Sequence, residues 1–155
     1  MAEKELSKLR ELAQLDVDAI DLYQAAIERI DVLLIREKLA EFRVDHQRHV
    51  QDLNAAIIRL GGTELVSSRD LKGTVLRGFT AVTSMMGNHA ALLAMMANEE
   101  LTNRSYESAL KADWTPDIRA LIEKNFGDEK RHLAWIKQAL KDKYWEIPSS
   151  AGSHP

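Results

Sequence analysis

The chain of 155 residues contains no cysteine, which removes a disulfide scaffold, a zinc–thiolate site and a cysteine nucleophile together. Only three prolines (Pro116, Pro148, Pro155) and seven glycines interrupt it. No stretch alternates convincingly with the period of two that marks a half-buried strand. No apolar run approaches the roughly 18 residues of a membrane span. Basic residues are not in excess: 21 Lys and Arg against 24 Asp and Glu give a formal charge of −3, so nucleic acid is not an expected partner. Residues 1–12 are charged throughout (Glu3, Lys4, Glu5, Lys8, Arg10, Glu11), unlike a secretory signal, and a cytoplasmic protein is the expectation. Gly73 and Gly78 are followed by Phe79-Thr80 where a phosphate-binding loop needs Lys-Thr. No Gly-x-Ser-x-Gly elbow occurs.

What is present is an ordinary soluble balance, 45% hydrophobic and 29% charged, in a chain long enough for one core. Apolar residues recur at helical spacing. A first helix is expected from about Leu6 to Leu33, with Leu12, Leu15, Ala19, Leu22, Ala26 and Ile30 as its stripe. After a turn near Val32–Ile35, a second runs from about Arg36 to Leu60 and is stopped by Gly61-Gly62. A connection of about 25 residues follows, holding an amphipathic stretch, Leu71–Met86, read as a short packed helix. A third helix spans about His89 to Ala112, and a fourth opens with Thr115 as N-cap and Pro116 at its first position, reaching about Tyr144. Two hairpins joined by a long crossover is one way to build a four-helix bundle. One all-α domain over residues 1–145 is expected, with a disordered tail over 146–155.

The two halves repeat. Residues 45–50 read Asp-His-Gln-Arg-His-Val and residues 128–133 read Asp-Glu-Lys-Arg-His-Leu, an offset of 83. The same offset carries Asp16 onto Glu99, Tyr23 onto Tyr106, Ala26 onto Ala109 and Ile27 onto Leu110. Polar members of the repeat interrupt apolar stripes. Glu129 and His132, three apart, share the face of Ile122, Asn125 and Ile136. His46 and His49 stand between Phe42 and Leu53, Asp16 between Leu12 and Ala19, and Glu99 between Met96 and Asn103. Four helices thus aim ionisable groups at one interior level. Each buried ion costs several kcal/mol unless compensated, and a metal cation would compensate it. Carboxylate–His pairs on two helices, with one carboxylate from each of the others, is the arrangement of carboxylate-bridged di-iron and di-manganese bundles; zinc also suits these donors.

On these residues the chain resembles the ferritin-like superfamily over about residues 6–144. Glu-x-x-His stands intact at Glu129–His132, and Asp16 to Tyr23 and Glu99 to Tyr106 reproduce the family's spacing of seven from carboxylate to tyrosine. The wording Asp-Val-Asp-Ala-Ile at 16–20, Asp-His-x-x-His, Asn-Glu-Glu-Leu-Thr-Asn-Arg and Asp-Glu-x-x-His is most similar to an uncharacterised bacterial branch, a domain-of-unknown-function family. The resemblance implies two iron (or manganese, or zinc) ions per chain. Asp16 and Glu99 would be terminal ligands, Glu129 a bridge, and His46, His49 and His132 nitrogen ligands. Tyr23, Tyr106, Asp45 and Asp128 would act around them. It further implies a role in iron handling or oxidative-stress protection, with O2 or peroxide as co-reactant in a ferroxidase- or peroxidase-like reaction, and a homo-oligomer, by default a dimer.

His46 departs from the family pattern, which has a bridging Glu there. Either Asp45 swings in to replace it, or the site binds one metal well and a second weakly. Two other readings stand beside this one: a structural or interaction bundle whose acids and histidines form a buried network, and an oxygen-using enzyme on an organic substrate. Asp18, Asp21 and Glu100 read as solvated helix edges, and His89 lies too far from Glu99 to share its site.

Overall fold

The computed structural model describes residues 2–65 and 87–146; the expected crossover helix Leu71–Met86 and nearly all of the C-terminal tail fall outside them. Four long helices make the architecture: α1 (Ala2–Arg29), α2 (Leu33–Arg59), α3 (Gly87–Ala109) and α4 (Pro116–Lys141). A turn of 3-10 helix, Tyr144–Glu146, follows α4. Helix α1 lies against α2 and α3, and α4 against α3 and α2, closing an all-α four-helix bundle. Among the described residues no helix is long and apolar enough to cross a membrane.

The first break falls at Ile30–Val32, a few residues before the expected turn, and Leu33 and Leu34, expected at the end of α1 and in the turn, open α2. No local cap marks this point, because Val32 offers no side-chain hydrogen bond. A distant partner does: the Asp31 N–H donates to Asn88 Oδ1 at 3.1 Å and Asn88 Nδ2 donates back to Asp31 Oδ1 at 3.0 Å. At the other end of α2 the glycine signal holds. Gly61 adopts φ +86°, and the Gly61 and Gly62 N–H groups donate to Ile58 O and Ile57 O, each at 2.9 Å. This is a Schellman closure, in which a left-handed residue lets the chain reverse onto the last carbonyls. Thr115 has the extended N-cap backbone, but its hydroxyl donates to Asp117 Oδ1 at 2.6 Å and so does not cap the helix. Trp114 Nε1 closes α3 by donating to Ala109 O at 2.7 Å.

The core has two apolar halves. One gathers Tyr23, Ile30, Leu39, Phe42, Leu92 and Met95; the other gathers Leu9, Leu12, Leu53, Ile57, Ile118 and Ile122. Shifting by 83 exchanges them: Leu9 maps to Leu92, Leu12 to Met95, Leu39 to Ile122 and Leu53 to Ile136. Leu15 and Leu22 of the expected α1 stripe are only partly buried, while Leu9, Ala13 and Tyr23 are fully buried, so the core face is rotated slightly from the stripe.

Asp18 is not a solvated edge. It is 5% exposed, and its neighbours on that side, Val17 and Ala25, are buried as well, so α1 is covered on two sides at mid-length. A single amphipathic stripe cannot reveal that. Burial pushes the Asp18 carboxyl up to about 6, against the hydrogen bond from Gln14 Nε2 at 2.9 Å.

Two stability measurements follow from these positions. Gly61→Ala forces a Cβ into the left-handed region and should cost about 1–2 kcal/mol in urea unfolding. Asp18 binds a proton more readily folded than unfolded, so its penalty is absent below pH 3.8 and complete above about pH 6. Asp18→Asn should therefore stabilise the chain by about 1–2 kcal/mol at pH 7, with the gain vanishing by about pH 4; a gain that persists at low pH would contradict the buried-carboxyl account.

Candidate metal centre

Between the two apolar halves lies one polar layer. Asp16 comes from α1, His46 and His49 from α2, Glu99 and Thr102 from α3, and Asn125, Glu129 and His132 from α4; all eight are fully buried. The sequence places them there because each occupies a stripe position on its helix, where an apolar residue would otherwise pack.

Two groups of donor atoms form within the layer. One atom each from Asp16, His46, His49 and Glu129 lie within 4.8 Å of one another, and the same is true of His46, Glu99, Glu129 and His132. In the first group, Asp16 Oδ1 stands 2.6 Å from His46 Nδ1 and 3.0 Å from His49 Nδ1. Glu129 Oε1 stands 3.4 Å from His46 Nδ1 and 3.3 Å from His49 Nδ1. In the second, Glu99 Oε1 lies 3.0 Å from His46 Nε2 and 3.6 Å from His132 Nδ1, which is also 3.6 Å from Glu129 Oε2. Ligands about 2.0–2.2 Å from an ion sit roughly 3–3.5 Å from each other, and all of these spacings lie in or near that range except the 2.6 Å between Asp16 and His46, which is that of a hydrogen bond. Glu129 Oε1 and His132 Nδ1 are buried with no hydrogen-bond partner among the described residues. Leaving such atoms bare is costly, and both belong to donor groups that a cation would satisfy.

A ring of partners holds the donors, and the ring crosses between the halves. Tyr23 donates to Glu99 Oε1 at 2.5 Å and Tyr106 to Asp16 Oδ2 at 2.6 Å. His49 Nε2 meets Asp128 Oδ2 at 2.9 Å, and His132 Nε2 meets Asp45 Oδ2 at 2.8 Å. Each pair is the image of the other under the offset of 83. Because residue 16 faces 106 and 23 faces 99, α1 and α3 run antiparallel; likewise α2 and α4. The halves are thus related by a pseudo-two-fold axis across the bundle. Outside the layer, Arg131 bridges Asp45 and Asp128 at 2.7 and 3.1 Å, and Arg48 pairs with the same two aspartates.

Asp45 is therefore not available as the bridging carboxylate: its oxygens are taken by His132, Arg131 and Arg48. His89, as expected, lies elsewhere, stacked on Trp145 at 4.8 Å. Thr102 carries the one polar side chain in the layer that the stripes did not single out. Its hydroxyl lies 3.3 Å from both Glu99 Oε2 and Glu129 Oε2. Its repeat position is Ala19, so the repeat could not flag it. Asn125, the counterpart of Phe42, donates to the Tyr106 hydroxyl at 3.3 Å, whereas Phe42 stacks on His132 at 4.2 Å.

Within the layer, burial works against charge and the neighbouring groups decide the direction in which each residue shifts. Burial opposes charge on Asp16, yet hydrogen bonds from His46 and His49 hold its carboxyl well below the usual range. Burial likewise works against Glu99, which His132 and His46 hold down. Glu129 goes the other way: burial, then the charges of Glu99 and Asp16, push its carboxyl well up. His46, against its burial, is pushed up to about 10 by Asp16 and Glu99. Burial and the neighbouring carboxylates raise both tyrosines.

Fold and layer together define an all-α bundle with a buried carboxylate–histidine cluster that could hold metal. Residues 4–112 match the family described as a domain of unknown function, DUF2383, and the chain belongs to that family. The match covers α1 to α3 and ends before α4. No curated protein matches the chain.

Tyr23→Phe and Tyr106→Phe each delete a hydrogen bond to an ionised carboxylate, and each should cost about 1.5–3 kcal/mol in urea unfolding of metal-free protein at pH 7. Losses under about 0.5 kcal/mol in both would reduce the tyrosines to simple core packing.

Proposed function

We propose that this chain is a ferritin-like metal-binding protein that holds two ions inside its bundle, iron first, with manganese or zinc as alternatives. Asp16, His46, His49 and Glu129 would hold one, and His46, Glu99, Glu129 and His132 the other. The observation that carries this reading is the pair of buried donor groups, the atoms of each within 4.8 Å of one another, with Glu129 Oε1 and His132 Nδ1 otherwise unpartnered among the described residues. Asp45 and Asp128 would orient His132 and His49 through their Nε2 atoms, which leaves each Nδ1 facing the ion. Tyr23 and Tyr106 would fix the carboxylates of Glu99 and Asp16. Redox-active ions held here would exchange electrons with O2 or peroxide, the basis for a role in iron handling or protection from oxidants. The apolar halves above and below would exclude bulk water from that chemistry.

A metal-free structural network is the second reading, favoured by the contacts of His46 with both Asp16 and Glu99. In it His46, pushed up to about 10 between Asp16 and Glu99, serves as the resident cation.

Metal analysis of protein purified without added metal separates the two. About two ions per chain are expected, falling below one in the Glu129→Ala, His132→Ala double variant, with thermal stability falling alongside. Added ion at 100 times its Kd should stabilise the folded chain by about 2.7 kcal/mol. Affinity should also rise with pH, because Glu129 and His46 must give up protons for the ion to bind. If metal content and stability are unchanged by the double variant, the metal reading fails. Oxygen uptake with ferrous iron then distinguishes a ferroxidase from a static site.

A further inference from the structure

The three histidines of the layer are not equivalent. His49 and His132 each turn Nε2 outward to an aspartate, Asp128 and Asp45, and keep Nδ1 toward the layer. His46 has no such outer partner. Its Nδ1 faces Asp16 Oδ1 at 2.6 Å and its Nε2 faces Glu99 Oε1 at 3.0 Å, so its two nitrogens point into the two different donor groups. Glu129 is divided in the same way, with Oε1 near His49 at 3.3 Å and Oε2 near His132 at 3.6 Å. These two residues are each other's image under the offset of 83. They are also the only members common to both donor groups.

Resting on the two-ion reading above, we propose that His46 is a bridging ligand, with Nδ1 on the ion held by Asp16 and His49 and Nε2 on the ion held by Glu99 and His132. Counting donors supports it. Asp16 and His49 alone supply two ligands, as do Glu99 and His132. Sharing Glu129 raises each set to three, and sharing His46 raises each to four, the number a closed zinc site takes. If His46 served one ion only, the sets would be four and three. The ring is held in place for this role. It is fully buried, with Tyr23 at 5.2 Å, His132 at 5.1 Å and His49 at 5.5 Å between ring centroids. Asp45, its sequence neighbour on α2, is engaged with His132 and two arginines and so does not take its place. An imidazole bound through both nitrogens carries neither N–H, so with one ion already on the ring His46 would release its one remaining ring proton to solvent as the second ion enters. A bridge across the width of the ring would hold the ions farther apart than the roughly 3.5–4 Å of common two-metal sites.

Zinc(II) is a suitable probe because it is diamagnetic and matches the donor set. The full chain, labelled with 15N at histidine, is stripped of metal and titrated with zinc while long-range proton–nitrogen spectra are recorded. Two zinc ions per chain are expected. His49 and His132 should each keep one N–H and show one zinc-bound nitrogen, while His46 shows two zinc-bound nitrogens and no N–H. The signal is assigned by its loss in His46→Glu, which supplies the carboxylate found at the repeat position and should still take two ions. In His46→Ala the second ion should bind at least 10-fold more weakly. A ring N–H retained on His46 in a wild-type chain loaded with two zinc ions overturns the bridge and leaves the two-ion reading intact. A limit of one zinc overturns the bridge together with the two-ion count. A chain that takes no zinc, iron or manganese overturns both. The decisive spectrum is that of the wild-type protein, so it does not depend on either variant folding.

Discussion

Ionised groups in the middle of a helical bundle are tolerated only when every one of them faces an opposite charge or a hydrogen-bond donor, and this requirement organises the molecule. Two apolar halves of nearly matching composition sandwich a layer where charge is concentrated. Each carboxylate in the layer is met by a histidine, and Asp16 and Glu99 by a tyrosine besides. Hydrogen bonding within the layer is incomplete at Asn125 Oδ1, Glu129 Oε1 and His132 Nδ1, which have no partner among the described residues. An uncompensated buried charge costs several kcal/mol, a large share of the 5–15 kcal/mol that hold an ordinary domain together. The same layer is thus both the strongest threat to the fold and its most specific chemical feature.

The compensation is exchanged between halves. Tyrosine, histidine and aspartate of one hairpin complete the shell of the other, through Tyr23–Glu99, Tyr106–Asp16, His49–Asp128 and His132–Asp45. Helix pairing is therefore specified by polar contacts in addition to apolar packing. A slip of α3 along α1 by one turn would break both tyrosine contacts at once, and would bury a carboxylate without its donor.

Much of this was legible in the sequence because helical spacing and a gapless repeat carry long-range information. The four helices, Gly61 as a stop and the convergence of Asp16, His46, His49, Glu99, Glu129 and His132 all follow from positions on stripes. What escaped did so for identifiable reasons. The α1–α2 break is fixed by Asn88 from across the bundle, which no local signal at Asp31 reveals. Asp18 is buried because α1 is covered on two sides, a tertiary fact invisible to one amphipathic pattern. Thr102 has an alanine for its repeat partner, so duplication hid it. The partners of Asp45 were undecidable from spacing alone, since surface pairing with arginine and an orienting contact to a histidine both fit; the structure has it doing both.

The pseudo-two-fold axis has a consequence for how such a site can vary. Were the bundle assembled from two separate copies of one hairpin, positions 46 and 129 would be the same residue by construction, and any change would strike both. Covalent fusion of the hairpins lifts that constraint. Histidine can then stand opposite glutamate, and phenylalanine (Phe42) opposite asparagine (Asn125), at sites the axis would otherwise equate. The two ends of the layer are chemically distinguishable for this reason. A single chain can give one end a stacked aromatic and a threonine hydroxyl and the other an amide, so that the two donor groups have different surroundings.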